Sequence, residues 1–179
     1  DMAKAKPTTV TFASASTSQL VSSEMLASMA GIQMTHVPYK SGPAAMTDLI
    51  GGQVNMFTAD FAVMLPQVKG GKIRGLAVTS TLRSKAIPEL PTVNEALGLK
   101  DYELIAYFAV FAPAGTPPEI VKRLQEESLK ALKSSAVTER FATDNAVGGG
   151  GPASEYAAFI KNEQRIWSDI VKRAGIKPD

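Results

Sequence analysis

The side chains best suited to polar chemistry come early in the chain and in three short groups. Ser14, Ser16, Thr17 and Ser18 place four hydroxyls within five residues, and a hydroxyl can donate to a carboxylate without bringing a charge of its own. Tyr39, Lys40 and Ser41 make a second group, and Thr58, Ala59 and Asp60 a third. A single Ser ahead of a helix is usually no more than a cap, so it is the density of hydroxyls here that points to a binding loop. Asp60 reads equally as a solute contact or as a helix N-cap. His36 is the only histidine. A Ser-His-Asp triad could use that imidazole alone, and a metal site would have to lean on carboxylates. It sits in a strand-like run without a recognisable nucleophile motif and reads as structural.

Several chemistries are excluded. With no cysteine, thiol catalysis, Cys-based zinc or iron–sulfur sites and disulfides are all removed. Lys40-Ser41-Gly42-Pro43 lacks Walker spacing and no G-x-G-x-x-G occurs, which argues against a nucleotide site. Gly148–Gly151 could cradle phosphate only at a strand-to-helix join and reads as a connector. A net charge of +2 over 179 residues, without long runs of either sign, leaves no electrostatic footprint for nucleic acid. At 45% hydrophobic and 20% charged residues, the composition is that of a folded globular chain. No apolar run approaches the ~20 residues that span a bilayer, and the first residues lack the pattern of a signal peptide.

The polar groups need elements to hold them. Thr8–Ala13 is β-rich and is followed by a helical stripe through Leu20, Val21, Met25, Leu26 and Met29, closed by Gly31. Met34–Pro38 reads as a second strand, then Ser41 caps a helix carrying Ala45, Met46, Leu49 and Ile50. Val54–Thr58 is a third strand and Phe61–Lys69 a helix. Gly51-Gly52 and Gly70-Gly71 occupy the same helix-to-strand corner, where glycine supplies a left-handed turn. Ile73–Thr79 and Leu104–Phe111 are apolar runs expected to be strands. Thr92-Val93-Asn94-Glu95 and Thr116-Pro117-Pro118-Glu119 are expected capping boxes. Two more helices close the chain, the last from about Ala153 to Ala174 with Tyr156, Phe159, Ile160, Ile166, Trp167, Ile170 and Val171 on one face. Tyr102, Tyr107, Phe108 and Phe111 read mostly as packing of a buried strand, and Met25, Met29, Met46 and Met64 as core.

Alternating strands and helices predict an α/β fold with a mostly parallel sheet covered on both faces. In such sheets ligands bind beyond the carboxyl ends of the strands, beside helix N-termini. Ala13–Ser18, Tyr39–Ser41 and Thr58–Asp60 should therefore lie side by side and suit an anion.

The motif His36-Val37-Pro38-Tyr39-Lys40, followed by Leu49-Ile50-Gly51-Gly52-Gln53-Val54, resembles the Bug-type solute-binding proteins of tripartite tricarboxylate transporters. The likeness continues through Gly71–Ser80, Glu89–Val93, Phe111–Pro117 and the closing Gly175–Pro178. It implies a periplasmic-binding-protein-like (type II) lobe plus C-terminal helices. Residues 1–98 would form the second α/β lobe of a two-lobed receptor, 99–117 the crossing strand and hinge region, and 118–179 helices packing across the lobes, with the first lobe absent. The resemblance implies a periplasmic, non-enzymatic receptor for a small carboxylate, partnered by membrane transporter subunits and needing no cofactor. The family's ligand-facing loops fall on Ser14–Ser18 and on Ala59-Asp60, which is serine-rich where the family has glycine and Ala-Asp where it has Asp-Asn. Ser14, Ser16, Thr17, Ser18, Tyr39, Ser41, Ala59 and Asp60 are the expected ligand-binding residues. An enzyme on the same fold, with His36 or Asp60 as acid or base, and a solute sensor are the rival readings. Apolar surface on Leu104–Phe111 and around Trp167, uncovered by the absent lobe, is expected to favour self-association.

Overall fold

The computed structural model describes residues 2–144, 146–151 and 153–174, so Gly175–Pro178 lies outside the described residues. A short helix α1 (Met2–Ala5), not expected from the sequence, precedes three parallel strands in the order β2-β1-β3. Strand β1 (Thr11–Ser14) sits in the middle, pairing Phe12 with His36 and Ser14 with Pro38 of β2 (Thr35–Pro38), and Ala13 with Phe57 of β3 (Met56–Phe57). The right-handed crossovers that parallel strands require then put α2 (Thr17–Ala30) and α3 (Gly42–Ile50) on opposite faces of the sheet.

Side-chain alternation along β1 divides the core accordingly. Ala13 joins Ala45, Met46, Val54 and Phe57 in a buried cluster, with Val37, Tyr39, Leu49, Met64 and Ile73 packed on its border. Phe12, fully buried, belongs to the other face, as do Ser14 and, from β2, His36. Val21, Ser22, Ser23 and Ala27 are the buried residues of α2, and α8 (Ala153–Ala174) lies against that helix. Of the four methionines expected in the core, Met46 is buried and Met25, Met29 and Met64 are half-buried.

The helix ends behave as local chemistry dictates. Ser16 and Ser41 accept from Gln19 and Ala44 amides, and the N-cap Thr92 forms a full capping box with Glu95 at α5 (Val93–Leu97). Gly52 and Gly71 turn the chain with φ of 74° and 67°, which costs a glycine nothing. Helices α4 (Phe61–Lys69), α6 (Pro118–Leu132) and α7 (Ser135–Asp144) complete the chain, and residues 146–151 link α7 to α8 without regular structure.

Three expectations are corrected. Ile73–Thr79 is not a strand: its backbone makes one isolated bridge, the parallel pairing of Val78 with Thr92, and the Thr79 carbonyl accepts the Leu104 amide at 3.1 Å. Leu104–Phe111 runs without strand pairing, and Tyr107, Phe108 and Phe111 are 41%, 97% and 74% exposed rather than buried. An apolar run encodes a wish for burial, but a strand also needs a neighbour in register to take its N–H and C=O groups. Thr116 builds no capping box: Pro117 holds the N-cap position of α6, and the Thr116 hydroxyl donates to the Pro113 carbonyl at 2.8 Å.

A rim at the carboxyl ends of the strands

The strands end at Ser14, Pro38 and Phe57, and the helices that follow begin at Thr17, Gly42 and Phe61. Because the strands are parallel and hydrogen-bonded neighbours, three loops and three helix N-termini share one edge of the sheet. The amides of Thr17 and Ser18 open α2, where an α-helix offers its donors no internal acceptor. The next amide, of Gln19, is taken by Ser16 at 3.4 Å. The loop is braced from within: the Ala15 amide donates to Gln19 Oε1 at 2.7 Å, and the Ser16 and Ser18 hydroxyls lie 3.0 Å apart. It is fastened to the second loop by the Tyr39 amide, which donates to the Ser14 carbonyl at 2.8 Å.

The eight expected site residues divide into three sorts. Ser16, Thr17, Ser18, Ser41 and Asp60 keep solvent access along this edge, as does part of Ala59, whose side chain also packs against the Ala13–Phe57 cluster. Asp60 stands at the N-cap position of α4, but its carboxylate makes no capping bond, which removes the cap reading. Tyr39 is turned aside. Its hydroxyl donates to Asp48 Oδ2 at 2.7 Å, and that bond, ahead of burial and the charge of Asp48, raises its pKa. Ser14 is 5% exposed and its Oγ lies 2.7 Å from His36 Nε2, so it forms the floor of the edge rather than its lip.

His36 is thus more than strand packing. Its ring stacks on Phe12 with centroids 5.1 Å apart and reaches the hydroxyl of a rim residue. Burial holds its pKa below the ordinary histidine value, which favours a neutral ring at neutral pH. The sequence signal was present in principle: parallel strands pairing Phe12 with His36 bring Ser14 and His36 onto one face, but the register had to be known first.

At the start of the third loop the Thr58 hydroxyl meets that of Ser23 on α2 at 3.4 Å. An open cavity of about 400 Å³ lined by Thr8, Glu24, Ser28, Gln33 and Met34 lies at the amino ends of the strands. It lies at the opposite end of the sheet from the rim. Burial raises the pKa of Glu24 beside it. Among the described residues no group of three His, Cys, Asp or Glu side chains could hold a metal ion. No helix among them is long and apolar enough to cross a membrane.

Comparison with known proteins gives a consistent picture. The sequence matches the tripartite tricarboxylate transporter family receptor over residues 1–176. It is 34% identical to protein BugT of Bordetella pertussis, over 97% of this chain and 54% of that one. It is 40% identical to a UPF0065 protein of Agrobacterium vitis, over 78% of this chain and 41% of that one. The chain therefore spans about half the length of these relatives. Among solved structures it superposes on an R. palustris protein with adipate at a TM-score of 0.88 and 31% identity, covering 99% of this chain and 60% of that one. It also superposes on the periplasmic binding protein BugD at a TM-score of 0.79 and 26% identity, covering 98% of this chain and 60% of that one. A malate-bound protein of Rhodopseudomonas palustris, at 24% identity and a TM-score of 0.77, covering 95% and 59%, shares the fold.

Proposed function

Because this chain belongs to the tripartite tricarboxylate transporter receptor family, we propose that it forms one lobe of a periplasmic receptor that captures a small carboxylate and delivers it to a membrane transporter. The observation that carries the proposal is the shared edge of hydroxyls and helix starts after β1, β2 and β3. Donors and positive partial charge collect there, and the described rim offers Asp60 as its acid. Ser16, Thr17, Ser18, Ser41 and Ala59 would supply the contacts, and Asp60 would select among solutes. Ser14 would lie beneath them, and Tyr39 would hold the second loop in place. Residues 1–98 would be the α/β lobe, 99–117 the crossing segment and 118–179 the helices that brace it. Adipate and malate in the related structures support the carboxylate class.

No catalytic step is assigned. The Ser14–His36 pair is the feature that favours an enzyme, since a hydroxyl and an imidazole at 2.7 Å have the spacing of a nucleophile and its base. Recovery of the solute unchanged after long incubation with the receptor would dismiss that reading. The receptor reading is tested by a thermal-shift screen against mono-, di- and tricarboxylates and amino acids. A solute at 100 times its Kd adds ~2.7 kcal/mol and should raise Tm. A panel in which carboxylates leave Tm unmoved while sugars or bases raise it would refute the proposal.

A further inference from the structure

The hydroxyl of Ser14 has one proton to give, and His36 decides where it points. We propose that His36 is a positioning residue for solute capture: in the solute-bound receptor its ring carries a proton on Nε2, donates to Ser14 Oγ, and turns the Ser14 proton toward a solute carboxylate. The inference rests on the receptor reading above. Its geometry is the 2.7 Å separation of Ser14 Oγ and His36 Nε2, with both ends held. The Ser14 carbonyl takes the Tyr39 amide at 2.8 Å, and the imidazole plane stacks on Phe12 at 27°.

Two arrangements of this pair exist for a neutral ring. With the proton on Nδ1, Nε2 is an acceptor, Ser14 donates into it, and only oxygen lone pairs face outward. A carboxylate oxygen is then repelled. With the proton on Nε2, the ring is the donor, Ser14 accepts, and its own O–H is free to donate onward. A carboxylate bound over Ser14 therefore selects the second tautomer. Ser14 keeps only 5% of its surface, so a solute oxygen reaching it loses competition from water and its bond strengthens.

The test uses the full-length receptor with 15N-labelled histidine, and adipate, malate and citrate as probes. The His36 signals are identified by their loss in His36→Gln. The expected result is a shift of the ring proton to Nε2 on saturation with a probe that binds. A bound state that keeps its proton on Nδ1 overturns the inference and leaves the receptor reading intact. Binding by none of the three probes counts against both readings together. Titrations supply a second readout. Ser14→Ala and His36→Phe should each weaken binding about tenfold, and the double variant should be no weaker than about twentyfold, because the two side chains act through one bond. His36→Gln, which offers an amide N–H in place of Nε2–H, should stay within about threefold of the parent. Losses that multiply to about a hundredfold in the double variant would overturn the inference, as would His36→Gln binding as weakly as His36→Phe.

Discussion

Tyr102→Phe removes one oxygen from a buried joint between α2 and the segment that follows α5. Tyr102 is 1% exposed, and its hydroxyl lies 3.0 Å from Ser22 Oγ and donates to the Ser22 carbonyl at 3.1 Å. Ser22, itself 1% exposed, is on the second turn of α2, directly below the rim. Asn94 grips the same residue by its backbone, donating to the Tyr102 carbonyl at 2.9 Å and accepting its amide at 3.1 Å. Burial raises the phenol pKa, so the proton that makes the bond stays in place. Loss of a buried hydrogen bond costs ~0.5–1.5 kcal/mol, with more where a partner is left unsatisfied. The Ser22 hydroxyl can turn back to a carbonyl one turn earlier in its helix, which limits the damage, so about 1–2 kcal/mol is expected for Tyr102→Phe. Tyr102→Ala also empties the ring's place and should cost ~3–5 kcal/mol. In urea, with a slope of ~1–3 kcal/mol/M, the Phe variant should unfold at a midpoint lower by roughly 0.3–2 M with the slope unchanged. A midpoint within about 0.1 M of the parent would refute the reasoning, because it would mean the joint is held by the ring and the Asn94 clamp alone.

Further perturbations separate binding from structure. Asp60→Asn should leave stability within ~0.5 kcal/mol, since no capping bond is lost. It should also raise affinity for dicarboxylates about threefold or more by removing a repelling charge from the rim; titrations that rank adipate, malate and acetate identically in parent and variant would remove Asp60 from the site. Ser16→Ala, which does lose a cap, should cost ~1 kcal/mol in urea unfolding. The Glu95 pKa is lowered by the Thr92 amide and by Arg83. Its folded form thus binds fewer protons than the unfolded form, and its stabilisation is present above the ordinary carboxylate range and lost as pH falls through the folded pKa. Tm should fall less steeply from pH 5 to pH 3 in Glu95→Gln than in the parent, and equal slopes would refute the assignment. This chain taken by itself should bind solute weakly, because three or four rim bonds open to water at ~0.5–1.5 kcal/mol each fall short of the ~8 kcal/mol of micromolar affinity; micromolar binding measured by calorimetry would show that one wall suffices.

Local chemistry was the legible part of this fold. Ser16, Ser41 and the Thr92–Glu95 box act within four residues of themselves, and Gly52 and Gly71 serve their own corners. That the first strands are parallel and joined by helices followed from alternation, whereas their order, β2-β1-β3, is seen only in the folded sheet. What the chain did not reveal depends on partners far away. Leu104–Phe111 looks like a strand because it is apolar, yet in the structure Tyr107 meets Phe159 and Phe111 meets Tyr156 on α8, while Phe108 and Val110 face solvent. Trp167, expected to lie on an uncovered face, is half-buried with its indole N–H donating to Glu163 at 3.2 Å. The Ser22–Tyr102 joint spans 80 residues and the Ser14–His36 pair 22. Neither spacing corresponds to a local motif, and both required the packed sheet to be seen. The rim was placed because it lies where every strand of such a sheet ends. The roles within it were not, because whether Tyr39 and Asp60 face a neighbour or the solvent is settled by packing.

Anion capture at this rim can be measured by calorimetric titration of the full-length protein with a dicarboxylate such as adipate, beside its uncharged diamide. The acid should bind at one site with about micromolar affinity or better, and the diamide at least about a hundredfold more weakly, because helix starts and hydroxyls favour an anion over a neutral group of the same shape. Equal affinity for the two, or binding of the diamide alone, would contradict it.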